Sequence, residues 1–305
     1  NLNRDFIVAV SGGPDSLALC FLSKIYSIKK RLNVKYLHVD HKLRKNSTKE
    51  VKFIKFLLKK FTNNFETLTW IGKKPKTNIQ SIARDKRYEL LIKKAKKHKI
   101  NDILLGHHND DLIENFFIRI LRGSGLNGLV SFDKETNRQK INLIRPLLKF
   151  SKIDLEYITK KVFEIYIEDP SNINDKFRRV KIRNFIKNLE NEGLNKDKFN
   201  LTIKNLKFAS EAIKYFVNKN LKKNITILNN KRVILNIDFF YQPEEVVFRS
   251  FTKVIMIVGK KFYPTRGKKI DNLIEKIKNE HSFKTTLGNC VIKRVNNTII
   301  LSKEH

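Results

Sequence analysis

The sequence predicts an α/β protein: a parallel-sheet domain, then a helical linker, then a smaller α+β domain. Three observations predict it. Apolar strand-like runs alternate with amphipathic stretches from residue 5 to about 122, which implies a parallel sheet with helices on both faces. The most polar motifs, at Ser11, His38–His41 and His107–Glu114, each follow such a run, where open α/β sheets bind ligands. The last third changes to short strands and tight turns.

Each element has a local reason. "DFIVAVS" is apolar throughout and reads as a buried strand; residues 15–29 carry helical periodicity. "NVKYLHVDH" is a second strand, and residues 47–62 place Val51, Ile54, Leu57, Leu58 and Phe61 at helical spacing. "FETLTWIG" is a third strand, followed by a helix from about Asn78 to Lys97. "NDILLGHH" is a fourth, followed by a helix from about Asp110 to Leu121. Beyond "IRPLLKFSKIDLEYI", itself leading into a helix, come "FEIYIEDPSN" and a basic helix from about Lys176. Residues 200–220 read as a connecting helix. "NITILNN" and "RVILNID" pair as a hairpin across Asn229–Lys231, helices cover about 243–258 and 268–279, and "FKTTLG", "CVIKRV" and "TIILSK" close the chain as strands. No repeat of solenoid period occurs. The expected division is 1–195, a linker over 196–240, and a C-terminal domain over 241–305.

At 305 residues the chain is long enough for two domains. Its net charge of +34 favours a polyanionic partner, most simply nucleic acid. Arginine supplies only 16 of the 64 basic residues, and the competing reading is the lysine bias of an A+T-rich coding sequence, with lysines on solvated faces. Cys20 and Cys290 are too few for a disulfide framework and form no C-x-x-C site. A reducing cytoplasm is the expected location. No apolar run approaches the roughly 18 residues of a membrane span, and a strand occupies the place of a secretory leader. Because the first residue is Asn, a short start is expected to precede it.

The first polar motif is "SGGPDS". A strand ending in Ser11-Gly12-Gly13 can bend tightly with its N–H groups unobstructed, and Pro14 suits the first helical position. Backbone donors at the positive end of the helix dipole then make an anion site. The competing reading, a tight connection needing glycine for packing, would suffice for a lone Gly-Gly. The flanking Ser11 and Ser16 together with Asp15 favour phosphate. This is not G-x-x-x-x-G-K-[ST]. Gly123-Ser124-Gly125-Leu126-Asn127-Gly128 matches G-x-G-x-x-G but follows a helix, not a strand, and so is no dinucleotide site.

"SGGPDS" resembles the PP-loop of the ATP pyrophosphatases, which cleave ATP between its α- and β-phosphates. With "VDHKLR", "GHHNDDLIENFFIRILRGSGLNGLVS", "RPLL" and "EDPSNINDKFRRVKIRN", the chain resembles the tRNA(Ile)-lysidine synthase family. The likeness is close from about residue 7 to 183, thin from 185 to 240, and looser in "YPTRGKKIDNLIEKI" and "TTLGNCVIKR". It implies a Rossmann-like, adenine nucleotide α-hydrolase-like first domain and a tRNA-binding C-terminal domain. It also implies ATP and Mg²⁺, free L-lysine, and a tRNA(Ile) with a CAU anticodon whose wobble cytidine becomes lysidine. A homodimer is among the assemblies the sequence admits.

In that light Ser11, Gly12, Gly13, Pro14, Asp15 and Ser16 would hold ATP, with Asp15 on Mg²⁺. Asp111 and Glu114 are three apart on a helix, so their carboxylates face one way. Such a pair suits an ammonium or a metal, and the resemblance favours lysine; the alternative is an ordinary acidic first turn. The adjacent His107 and His108 point apart, so one packs or caps while the other lines the site. Asp40 and His41 are further active-site candidates, and a zinc site from the four histidines lacks the usual spacing. Arg122 would stabilise charge developing on phosphate or base, against the reading of an exposed helix-end cation. Arg179, Lys181 and Arg183 would contact tRNA, against an ordinary basic helix face. The family's Arg-Asn-Arg-x-Arg run is altered here, with Val180 for the Asn and Lys181 for the second Arg, which removes a bidentate fork. Phe262, Tyr263 and Arg266 are candidates for stacking on RNA, against core packing, the more frequent fate of such aromatics. Competing functions are base thiolation, which calls for cysteines, GMP or NAD synthesis, and non-catalytic RNA binding on a relic fold.

Overall fold

A computed structural model describes residues 2–43, 46–60, 62–75, 77–167, 178–229, 232–261 and 265–304. Phe61, the whole of "EDPSNIND", Phe262 and Tyr263 lie outside the described residues. The chain forms two compact units, Asn1–Phe199 and Asn200–His305.

The first unit is built on a six-stranded sheet: β1 (Phe6–Val10), β2 (Val34–Asp40), β3 (Phe65–Thr69), β4 (Asp102–Leu104), β5 (Glu135–Arg138) and β6 (Ile141–Ile144). Their order is β3-β2-β1-β4-β6-β5. Neighbours pair in parallel except β5 and β6, which form an antiparallel edge hairpin. This hairpin is an element the periodicity does not announce. "ETNR" is polar, and Gln139 and Lys140 turn with φ of 53° and 69° where Asn-Gly would be the usual signal.

The helices are α1 (Pro14–Lys30), α2 (Ser47–Lys59), α3 (Ile79–Lys97), α4 (Asn109–Ile120), a one-turn α5 (Leu126–Leu129), α6 (Lys152–Phe163) and α7 (Arg178–Asn191). Successive strand residues point to opposite faces. Phe6, Val8 and Val10 pack with Leu17, Ile54, Leu58, Leu155 and Phe163 of α1, α2 and α6. Ile7 packs on the other face with Leu37, Tyr88, Leu91, Ile92 and Ile103, under α3. Both faces are covered, which is why β1 is apolar without alternation. Each buried Leu, Ile or Phe contributes about 1.5–3 kcal/mol relative to exposure. A third cluster joins α4 to α7 through Ile113, Ile182 and Ile186, with Phe117 stacked on Phe199 at 5.4 Å.

From β1 the chain runs outward to β2 and β3, then returns to place β4 on β1's other side. The crevice beyond the carboxyl ends of β1 and β4 is therefore the topological switch point. The loops after those two strands carry "SGGPDS" and "GHHND".

The division between units falls in the first turn of α8 (Lys196–Asn224). The second unit adds β7 (Ile225–Asn229), β8 (Arg232–Asn236), α9 (Glu244–Val258), α10 (Gly267–Asn279), β9 (Ser282–Leu287), β10 (Cys290–Val295) and β11 (Thr298–Lys303). Its antiparallel sheet has the order β7-β8-β11-β10-β9 and buries Leu235, Ile292, Ile299 and Leu301 against Phe251 and Val254 of α9 and Ile270 and Ile277 of α10. Arg266 caps α10. The α/β class with an α+β second part is as the sequence predicts. No helix among the described residues is long and apolar enough to cross a membrane.

Candidate functional site at the switch point

The loop after β1 is fixed from three sides. Gly12 has φ of +90°, and a Cβ there would lie 2.8 Å from both Ile54 Cδ1 and Ile167 Cδ1, so only glycine fits. The Ile167 N–H donates to the Gly12 carbonyl at 3.0 Å. The Thr159 hydroxyl donates to the Pro14 carbonyl at 2.7 Å. Inside the loop, Ser16 Oγ accepts the N–H groups of Ser11 and Gly12 at 3.1 Å each and donates to Gly13 O at 3.0 Å. Ser16 therefore organises the bend. The first intrahelical bond is Leu17 N–H to Gly13 O, 3.1 Å. The N–H groups of Gly13, Asp15 and Ser16 precede that ladder and remain for an anion at the helix's positive end.

The loop after β4 closes on this turn. Gly106 lies so near α1 that a Cβ would sit 3.1 Å from Ser16 N and Cα. His108 caps α4, accepting from Asp110 N at 3.3 Å, and Asp111 answers by accepting His108 N–H at 3.2 Å. His108 Nε2 stands 3.7 Å from Asp15 Oδ2 and 3.6 Å from Asp111 Oδ2, and Nδ1 is 3.4 Å from Asp110 Oδ2. Burial opposes charge on this imidazole, but its three carboxylates outweigh that and raise its pKa. His108 is thus the residue that joins the two loops. Its signal in the sequence was the H-x-x-D spacing at a helix start, a capping-box pattern.

The carboxylates differ by environment. Burial pushes Asp15 up to about 6, Asp111 adding to it and His108 opposing. Asp15 Oδ1 is buried without a hydrogen-bond partner. Asp110 is held well below the usual range by His108 and Lys196, against burial. Burial would raise Asp111, but His108, His107 and Arg179 bring it below the ordinary value. Glu114, 2 % exposed, is raised by burial although Arg183 pairs with its Oε1; Oε2 has no partner.

Asp15, Asp111, Glu114, His107 and Arg179 therefore share one electrostatic neighbourhood. His107 is driven down to about 3 by burial, helped by Arg145, Arg84 and Arg179 and opposed by Asp111, so it is neutral at pH 7. Arg183 is engaged by Glu114, whereas Lys181 on the same helix is exposed. Arg122 is exposed in the turn after α4. Asp40 and His41 close β2, one strand away from β1. Asp40 accepts Lys42 N–H at 2.9 Å, and His41 takes Arg87 Nε at 3.4 Å with its ring edge-on to Trp70. His41 is lowered to about 4 by burial and Arg87, and His38 Nδ1 binds Val10 O at 2.8 Å. Among the described residues no three His, Cys, Asp or Glu side chains are placed to hold a metal. Gly123–Gly128 follows α4 and leads into only one turn of helix, which is not dinucleotide-site geometry.

A parallel sheet whose first strand passes through a Ser-Gly-Gly bend into a helix at the switch point defines a PP-loop nucleotide-binding protein. The PP-loop domain family matches residues 1–190, and that ATP-binding family carries ATP use. The tRNA(Ile)-lysidine synthase of Wolbachia pipientis wMel is 32% identical over 306 residues, spanning 99% of this chain and 71% of that one. That of Orientia tsutsugamushi (strain Boryong) is 31% identical over 310 residues, spanning 99% and 70%. The chain belongs to the tRNA(Ile)-lysidine synthase family. Among solved structures, the U34-tRNA thiolase NcsA from Methanococcus maripaludis, with its 4Fe–4S cluster, has a TM-score of 0.59. It is 17% identical, covering 69% of this chain and 74% of that one, a likeness of fold alone.

Proposed function

We propose that this chain ligates L-lysine to C2 of the wobble cytidine of a CAU-anticodon tRNA(Ile), consuming ATP and releasing AMP and pyrophosphate. The observation that carries the reading is identity of 32% with a tRNA(Ile)-lysidine synthase across 99% of the chain. The geometry supports it. The nucleotide's phosphates would lie on the free N–H groups of Gly13, Asp15 and Ser16. The unpartnered Oδ1 of Asp15 fits a Mg²⁺ ion, which takes one or two carboxylates plus substrate phosphates. When bound, that ion would neutralise phosphate charge.

Cytidine O2 would attack the α-phosphorus and pyrophosphate would leave. The lysine ε-amine would then attack C2, the C2–O bond breaking as AMP departs with the oxygen. The chain's part is positioning and electrostatics. Asp111 and the unpartnered Oε2 of Glu114 suit an ammonium group. Arg122 would reach the developing phosphate charge, Asp40 and His41 would border the nucleotide from β2, and Arg179 and Lys181 would meet tRNA, with the second unit binding its body. Base thiolation is less supported: Cys20 is buried with its thiol pKa pushed far up, and burial raises Cys290 to about 11. Neither offers a thiolate at neutral pH.

Purified protein, ATP, Mg²⁺, radiolabelled lysine and a CAU-anticodon tRNA should give labelled RNA. Well-folded protein that leaves the RNA unlabelled with lysine but incorporates sulfur or another amine would overturn the reading.

A further inference from the structure

Beside the site, on the β6 side, cationic side chains gather over two aromatic rings. Arg145 follows β6 directly, is 4 % exposed, and lies with its guanidinium 4.8 Å from the centre of the Phe132 ring. It donates through Nη1 to Asp133 O at 2.8 Å and to Thr136 Oγ1 at 3.2 Å, while its Nε is buried with no partner. His107 also lies against Phe132, edge-on at 5.2 Å, the neutral imidazole whose field is shared with Asp111. Arg84 lies over the Tyr88 ring of α3 at 5.7 Å. Arg119, in the last turn of α4, packs near Gly128, and its Nε is likewise buried and unpartnered.

These guanidiniums repel one another. Burial, then Arg122 and Arg84, disfavour charge on Arg119; on Arg145 burial and Arg84 act in the same direction, opposed in part by Tyr88 and Asp133. Among the described residues no carboxylate forms an ion pair with Arg84, Arg119, Arg122 or Arg145; Asp85 pairs instead with Arg138. A buried polar group without a partner is expensive, and two such Nε atoms, on Arg119 and Arg145, each in the field of Arg84, suggest that the partner comes from outside. We infer that Arg84, Arg119 and Arg145 form an anion subsite distinct from the Ser11–Ser16 turn, taking a phosphodiester of the bound RNA beside the target nucleotide. The inference rests on the RNA-substrate reading above. Sheet geometry gives the separation. β6 is two strands from β1, about 10 Å at the usual spacing. That spacing between backbones suits a neighbouring link of an RNA strand, and the KM for ATP reads whether the nucleotide's own phosphates reach the shelf. Tyr88 and Phe132 give the shelf a floor on which guanidiniums stay planar and oriented.

The test uses the full chain with Arg84→Ala, Arg119→Ala and the double substitution, plus Arg84→Lys, read by tRNA binding across a salt series and by KM for tRNA and for ATP. Arg84 is exposed on α3, so its removal should leave the fold intact. Each alanine should weaken tRNA binding roughly tenfold and reduce the salt slope by about one, with KM for ATP unchanged. Arg84→Lys should restore the slope but not all of the affinity. Unchanged tRNA affinity and slope would overturn the inference. So would a raised KM for ATP or weaker pyrophosphate inhibition with tRNA binding intact, which would give the shelf to the nucleotide. Wild-type labelling of RNA by lysine is scored separately: if it succeeds while these variants bind normally, only the subsite fails.

Discussion

Gly106→Ala tests whether the loops after β1 and β4 meet as closely as the geometry says. An added Cβ would sit 3.1 Å from Ser16 N, 3.1 Å from Ser16 Cα and 3.2 Å from Asp15 C, all backbone atoms of the first turn of α1. No flexible side chain can swing aside. Gly106 is not among the glycines with positive φ, so the alanine is not strained by its own backbone and the whole effect is steric. Relief requires the loops to part by a few tenths of an ångström, and overpacking of this kind costs about 1–3 kcal/mol. The movement lands on Asp15 and His108, whose 3.7 Å approach bridges the loops. Small misplacements at a reacting centre are amplified, up to roughly 100-fold for 1 Å. The expected outcome is a melting point a few degrees lower and tRNA-dependent pyrophosphate release reduced roughly tenfold or more. Gly125→Ala, where an added Cβ meets nothing within 4 Å and no positive φ is required, is the control. Wild-type melting and turnover in Gly106→Ala would refute the close approach, and with it the two-loop site.

Asp15→Asn should abolish lysine labelling while leaving tRNA retention largely intact; surviving label would remove Asp15 from the metal. The same variant should be more stable than wild type at high pH. In the folded state Asp15 titrates near 6, above the roughly 3.9 of an unfolded chain. Between those values the folded state holds a proton the unfolded state lacks, so this contribution to stability falls as pH rises from about 4 to 6. Above pH 6 the ionised, 26 % exposed side chain carries a penalty of roughly 3 kcal/mol, which Asn relieves. Denaturant midpoints at pH 5 and pH 8 measure it, and a variant no more stable than wild type at pH 8 contradicts the assignment. Arg183→Met leaves Glu114 charged and buried; with Arg183 itself 34 % exposed, the loss should be about 2–3 kcal/mol. Adding Glu114→Gln should restore most of it, and additive losses would deny the pair. Phe251→Ala opens the core of the second unit at a cost of about 3–5 kcal/mol. tRNA affinity should fall with ATP binding kept, and parallel loss of both would argue against separate roles for the units.

The strands and helices that build the switch point were legible because each lies in an apolar or helically periodic run bounded by a turn, even the three-residue β4 within "NDILLGHH". β5 and β6 were not, since four-residue strands around Gln139–Lys140 carry neither periodicity nor turn chemistry. The site divides in the same way. Gly12, Pro14 and Asp15 stand together in one stretch, so their spacing alone places them on one loop. The pairing of Glu114 with Arg183 joins residues 69 apart in sequence, and no local pattern encodes it. Arg183 looks like one more base in "RRVKIRN" until α7 packs on α4. His108 looks like half of a histidine pair until three carboxylates surround it. Pattern reaches what neighbours in sequence do together; partners brought in by packing lie beyond it.

The distribution of charge sharpens the functional reading. In a chain with 64 basic and 30 acidic side chains, four carboxylates converge at one crevice: Asp15, Asp110, Asp111 and Glu114. A purely phosphate-binding site would gain nothing from this, because each added carboxylate repels the ligand by several kcal/mol at short range and moderate effective dielectric. A site that must hold a triphosphate and an ammonium side by side needs both signs, kept apart. The free N–H groups at the start of α1 supply the positive end without adding a titratable cation, while Asp110 is neutralised locally by His108 and Lys196. On the proposed reading Asp15 would then face the phosphates, where a divalent cation would reverse its sign, and Asp111 with Glu114 would face the amine. The separation predicts opposite sensitivities. Glu114→Gln should raise KM for lysine with little change in KM for ATP, and Asp15→Asn should weaken metal-dependent ATP binding with little change in lysine binding. If both substitutions moved both constants together, the carboxylates would form one undivided cluster, and the assignment of phosphate to one side and ammonium to the other would be wrong.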